Sequence, residues 1–212
     1  MEPAAGGPGA AGHGALAHQS DPAPTCSAVR DLEVSGRSHH RSHRSVVGAG
    51  IQEAVPRDTV LIVDGTLVPT RDHKIAEQSK NYRYSTNHRV VIDASTRLIV
   101  VVGQPLPGNR NDCQAWTESG AEAAVGTTTA IADGGYRGTG LVIPHRRHAK
   151  NEELPAWKQT HNKSHKQVRA RVEHVFARMK TWKILRDCRL KGDGVHHAVL
   201  GITHLHNLAL TG

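Results

Sequence analysis

Two apolar runs end on an aspartate followed by glycine. Val60, Leu61, Ile62 and Val63 lead into Asp64 and Gly65, and Thr127–Ala132 leads into Asp133, Gly134 and Gly135. A third acid, Glu173, stands among Arg169, Arg171, His174, Arg178 and Lys180. Carboxylate oxygens suit the hard divalent cations Mg²⁺ and Mn²⁺, which also bind phosphates. Two such ions about 4 Å apart can activate an oxygen nucleophile and stabilise the leaving oxygen of a phosphodiester. Taken singly, each acid also fits an ordinary role, as a strand-end turn residue or as one half of a solvated ion pair. If the three are co-ligands, their carboxylates must converge to within roughly 4–8 Å.

The elements that must position them are readable from periodicity. The run ending at Asp64 has the continuous apolar character of a strand buried on both faces. Strands at His88–Asp93 and Arg97–Gly103, joined through Asp93–Thr96, predict an antiparallel hairpin. Asn111 or Asp112 can cap a helix through Ala115 and Trp116. Thr127–Ala132 predicts another strand, so both aspartates fall at the carboxyl edge of a sheet, where α/β proteins build their sites. Pro144–Ser164 reads mostly as loop, with a short helix at Glu152–Gln159. From His165 a long helix is expected, with Val168, Val172, Val175, Phe176, Met179 and Trp182 on its apolar side. Arg169, Glu173 and Lys180, four and seven residues apart, share one face of it. A last helix, about Val195–Leu210, places Val199, Ile202, Leu205 and Leu208 on its apolar face. The fold class is α/β, a mixed sheet flanked by helices.

Charge is distributed unevenly. Residues 51–133 carry eight Lys+Arg against ten acids, whereas residues 134–212 carry fifteen against five. A basic last third beside a carboxylate site suits a polyanion, although a solvated surface has the same composition. In residues 1–50, Ala, Gly, Ser and Pro fill 27 positions, so residues 1–56 read as a low-complexity, disordered tail before a domain at 57–212. No apolar run approaches the roughly 18 residues that cross a bilayer, and the start lacks the features of a signal peptide. A soluble, intracellular protein is the expected class. Three cysteines, far apart, argue against a disulfide framework. His197, His204, His206 and Cys188 as a zinc site, and His161, Asn162 and His165 as an HNH nuclease motif, are weaker readings.

The segments VDGTLVPT around Asp64, PLPGNRND ending at Asp112, IADGGYRG around Asp133 and RARVEHVFARMKTWKILRDCRL around Glu173 resemble the DDE transposases of bacterial insertion sequences. Harbinger-like DDE endonucleases and actinobacterial insertion-sequence transposases are the nearest in kind. The resemblance covers roughly residues 58–210. It implies an RNase H-like fold and divalent-metal-dependent cleavage and strand transfer at insertion-sequence ends. Asp64, Asp133 and Glu173 would be the catalytic acids, holding two Mg²⁺ or Mn²⁺ ions. Arg169 and Lys180 match basic positions of the family's Tyr-Arg-Glu-Lys signature, with Lys166 in place of the Tyr. Arg171 and Arg178 join them as DNA-binding residues, and Asp112 is an auxiliary acid or helix cap. The implied partner is double-stranded DNA, bound as a homo-oligomer at the nucleoid and not at a membrane. The family's usual N-terminal helix-turn-helix has no counterpart in residues 1–56, so an N-terminally truncated copy is expected. A catalytically inactive, DNA-binding remnant is the alternative.

Overall fold

The computed structural model describes residues 59–80, 83–147 and 153–212. The tail expected at residues 1–56 lies outside them.

The first apolar run does not stop at Asp64. Strand β1 spans Leu61–Pro69, because Thr66 and Val68 resume the inward alternation beyond Gly65. Strand β3 (Tyr84–Asp93) pairs with it antiparallel along its whole length, from Leu61 opposite Asp93 to Pro69 opposite Ser85. On the other edge of β3 lie three short strands: β2 (Glu77–Gln78), β5 (Leu106–Pro107) and β4 (Ile99–Val102). On the other edge of β1, β6 (Ala130–Ile131) pairs parallel, shorter than the Thr127–Ala132 expected. The expected β3–β4 hairpin is present. Asp93 Oδ1 closes its turn by accepting from the backbone N–H of Ser95 (2.6 Å) and of Thr96 (2.9 Å), a local bond that lets aspartate punctuate a strand.

Helices cover both faces of this mixed sheet, as expected for an α/β domain. On one face Leu61, Val63 and Val91 pack against Trp116 of α1 (Asp112–Glu118) and against Ala121 and Val125 of α2 (Ala121–Val125). On the other, Ile62, Val68, Val90 and Ile92 meet Val172, Val175 and Met179 of α3 (Ala156–Met179). Leu185 of α4 (Lys183–Arg186) and Val195, Val199 and Ile202 of α5 (Gly194–Thr211) complete that core. Fully burying each large aliphatic side chain contributes about 1.5–3 kcal/mol.

Three helical expectations are corrected. Helix α3 begins at Ala156, not His165. Between Pro155 and Lys180 there is no proline or glycine to break it, and the polar residues that suggested a loop are held by tertiary contacts. Asn162, for example, bonds both the N–H (2.8 Å) and the carbonyl (2.9 Å) of His145. Trp182 lies beyond the helix and is exposed rather than part of its apolar side. In α5 the buried face runs through Val195, Val199, Ile202 and His206, leaving Leu205 and Leu208 about half exposed. Polar anchors set that rotation: the Asn207 side chain bonds the N–H (2.9 Å) and carbonyl (2.8 Å) of Ile99. Among the described residues, no helix is long and apolar enough to cross a membrane.

Candidate active site

Asp64 sits inside β1, opposite Val90, so the strand-end placement expected for it is corrected. Its Oδ1 accepts the N–H of Gly65 (2.7 Å) and its Oδ2 accepts from Arg169 Nη1 (3.0 Å). The other terminal nitrogen of Arg169 reaches Glu173 Oε1 at 2.9 Å. One guanidinium thus bridges the β1 acid and the α3 acid, whose oxygens lie within about 8 Å of each other across that planar fork. The shared helix face expected for Arg169 and Glu173 is what turns both toward β1. Burial raises the Asp64 proton affinity and the negative charge of Asp133 raises it further, while the Gly65 N–H and the Arg169 cation oppose them.

Asp133 follows β6 by two residues and accepts the N–H of Gly135 (2.9 Å). A Cβ added at Gly135 would stand 2.6 Å from Asp112 Oδ2 and 3.0 Å from Asp133 Oδ1. Both carboxylates therefore crowd one Cα. Asp112 is not the cap of α1. That role falls to Asn111, whose Oδ1 accepts the N–H of Gln114 (2.8 Å). The Asp112 carboxylate instead accepts from Arg89 Nη2 (2.8 Å).

Arg89 was not singled out by sequence reasoning, and it organises the floor of the site. It enters from the middle of β3 with its side chain only 1% exposed. Nη1 donates to Tyr136 Oη at 2.6 Å while Nη2 holds Asp112. Burial pushes the Tyr136 hydroxyl well above its usual range, so it stays neutral beside the cation. The guanidinium passes directly over Gly65, where an added Cβ would collide with it. The available signal was an arginine directly before the apolar run Val90–Ile92 of an expected strand.

Asp64, Gly65, Asp112 and Gly135 line an open cavity of about 850 Å³, whose rim also carries Lys80, Asn87 and Arg110. Asn87 is nearly buried, and its Oδ1 has no hydrogen-bond partner. Lys180, at the end of α3, faces an adjoining groove with Leu67, Pro69 and Ser79, and burial lowers its proton affinity. Arg171 donates to the carbonyl of Ala94, at the β3–β4 turn. Arg178 is exposed and near enough to His206 to depress its proton affinity, after the larger effect of burial. These two arginines stand apart from the acids. Cys188 is buried in the core and His206 faces the Arg97 carbonyl, so the weaker zinc reading gains nothing.

The three acids Asp64, Asp133 and Glu173 would offer only carboxylate oxygens, a donor chemistry that suits Mg²⁺ or Mn²⁺. Among the described residues no group of three His, Cys, Asp or Glu is set closely enough to hold an ion as it stands. Between Asp64 and Glu173 the positive charge is that of Arg169.

Comparison with known proteins bears on the whole of this unit. A relative from Streptomyces albus G, given as the candidate transposase for insertion sequence element IS112, is 82% identical over 156 residues. That alignment takes in 74% of this chain and 61% of the relative, so the chain spans about three-fifths of the relative's length. No solved structure matches. The family described as "Transposase DDE domain" matches residues 56–208, from just before β1 to within α5. With that match running through every element of the described fold, the chain belongs to the transposase DDE domain family.

Proposed function

We propose that this chain is the catalytic domain of an insertion-sequence transposase. It cleaves DNA phosphodiesters, and transfers strands, with Asp64, Asp133 and Glu173 holding two divalent ions. The observation that carries the reading is the Arg169 bridge, which joins acids 109 positions apart in the chain beside the loop that bears Asp133. When bound, Mg²⁺ or Mn²⁺ would supply an activated oxygen nucleophile and charge stabilisation on the leaving oxygen.

The chain's own residues have distinct tasks in this reading. Arg169 neutralises Asp64 and Glu173 while no other cation is there. Its long side chain then turns to a DNA phosphate, so the same charge serves the resting and the loaded site. Lys180, in the adjoining groove, contacts the backbone further along the strand. Arg89 pairs with Asp112, so the carboxylate beside Asp133 is already charge-compensated and Asp133 is left as the ligand. Gly65 makes room for the Arg89 guanidinium and Gly135 for the Asp112 and Asp133 carboxylates. An element has two ends, so a pair of copies assembled on double-stranded DNA would cut both.

The test is nicking of a duplex that carries the element's ends, with Mg²⁺, Mn²⁺ or EDTA. Asp64→Asn, Asp133→Asn and Glu173→Gln keep shape and remove charge, and each should lower the rate by orders of magnitude. Cleavage that persists in EDTA, or in Asp133→Asn, refutes the site. DNA binding without cleavage under every metal condition favours the inactive, DNA-binding remnant instead.

A further inference from the structure

A second cavity, about 790 Å³, opens beside the first turns of α3. Arg137, Arg146, Arg147 and Lys158 line it together with His145 and His161, and among the described residues no acid does. At its edge the Trp157 side chain is 62% exposed. The His145 ring meets the indole edge-on, with centroids 5.2 Å apart, and Lys158 Nζ stands 5.4 Å from the indole centroid. The groove is built rather than incidental. Asn162 clamps the backbone of His145 through two hydrogen bonds, and His165 bonds the carbonyl of Val142 (3.2 Å). The proton affinity of His145 is depressed by burial first and then by His161 and Lys158, as expected in a field of one sign.

The position relative to the acids gives this groove a direction. His161, His165, Arg169 and Glu173 follow one another at four-residue spacing, in a stripe that winds slowly along α3. From His161 to Glu173 is a rise of about 18 Å, close to five base-pair steps of DNA. At the near end, Arg137 belongs to the loop that starts at Asp133, and Cys113 at the start of α1 bonds the Gly135 and Arg137 carbonyls (3.2 Å each). A strand leaving the carboxylates along α3 would thus enter a groove of cations.

Cations that track a backbone, beside an aromatic ring left to solvent, are the features by which proteins hold unpaired nucleic acid. A duplex keeps its bases stacked inside and has no use for an exposed indole. We propose that this groove seats an unpaired DNA strand flanking the cleavage point, with phosphates on Arg137, Arg146, Arg147 and Lys158 and a base stacked on Trp157. The assignment rests on the transposase reading for its ligand, but its test does not depend on cleavage.

The experiment measures binding of the full chain, in EDTA, to labelled duplexes that are blunt or carry a single-stranded extension, across a salt series. The extension should strengthen binding about tenfold, the contribution of one stacked base. Trp157→Ala should abolish that gain without weakening the blunt duplex, and Trp157→Phe should restore most of it. Arg146→Ala and Arg147→Ala should each reduce the slope of log affinity against log salt by about 0.7 on the extended DNA. All three side chains altered are exposed, and unchanged thermal unfolding would confirm that the fold is intact. Wild-type affinity and salt slope in these variants would overturn the groove while leaving metal-dependent cleavage standing. Equal losses on blunt and extended DNA would overturn the unpaired-strand assignment in favour of a duplex contact. If the groove effects appear but no metal supports nicking, the catalytic reading falls and the groove remains. An unaltered chain that binds no DNA overturns both.

Discussion

Asp112→Asn is the substitution on which sequence and structure disagree most. As a helix cap or an accessory acid, Asp112 would tolerate the change, because asparagine caps as well as aspartate. In the fold, Asn111 is the cap and Asp112 pairs with a guanidinium that is only 1% exposed. Removing one partner of a buried pair costs about 3–5 kcal/mol when nothing compensates. Two features reduce that figure here. The Asp112 side chain is 44% exposed, so solvent screens part of the interaction. Asparagine also keeps an acceptor oxygen, and Tyr136 Oη still takes the other Arg89 nitrogen. A loss of about 1–2 kcal/mol remains, the difference between a charge-assisted and a neutral hydrogen bond.

In a chain of this size each kcal/mol shifts the melting midpoint by about 2–4 °C, so Asp112→Asn should melt roughly 2–8 °C lower. The assay is thermal unfolding by circular dichroism, run as a double-mutant cycle with Arg89→Met. Because the pair is in direct contact, the double variant should be less unstable than the sum of the singles, with a coupling of about 1–2 kcal/mol. An Asp112→Asn protein that melts within a degree of the parent, together with additive costs, would refute the reasoning. Arg89 would then be satisfied without this carboxylate.

Acid sensitivity should centre on His88, which is wholly buried and faces His196. Burial, and then His196, lower its proton affinity to a value of about 3, whereas the unfolded chain takes that proton near 6.5. The unfolded state therefore binds more protons between those values, and stability should fall as pH drops through that window, by up to about 1.4 kcal/mol per pH unit. Urea midpoints between pH 7 and pH 4 should show the decline, and a His88→Leu protein with the same slope would exclude His88 as its source. Gly65→Ala drives a methyl into the Arg89 guanidinium and should cost about 1–3 kcal/mol by overpacking; an unchanged denaturation midpoint would show that Arg89 moves freely aside. Asn207→Ala removes both bonds from α5 to β4 and should cost about 1–3 kcal/mol, with faster amide exchange at Ile99. If that exchange stays at the parent rate, the anchor is not what holds the helix.

The amino-acid sequence alone determined the candidate acids and the local geometry that depends on near neighbours. Acid, glycine and apolar run together mark Asp64 and Asp133; the four-residue spacing puts Arg169 and Glu173 on one face; Asp93 makes its own turn. Each of these follows from side-chain type and helical or strand period, quantities contained in a short window. What only the tertiary structure decided is which distant group meets which. Asp64 lies within a strand because β3 pairs with β1 along its full length, past the glycine that looked like an end. Arg89 reads as an oddity in an apolar run until Asp112, 23 residues on, and Tyr136, 47 residues on, are brought against it. The start of α3 looked like a loop because its polar residues find their partners in the 136–147 segment rather than in the helix. The rotation of α5 was equally hidden, since Asn207 and His206 bond to β4 and the turn before it, over 100 positions away. A buried polar or charged group must be paired, and it takes its partner from wherever packing brings one. Periodicity records that a residue is buried, whereas its partner is set by contacts between elements remote in the chain.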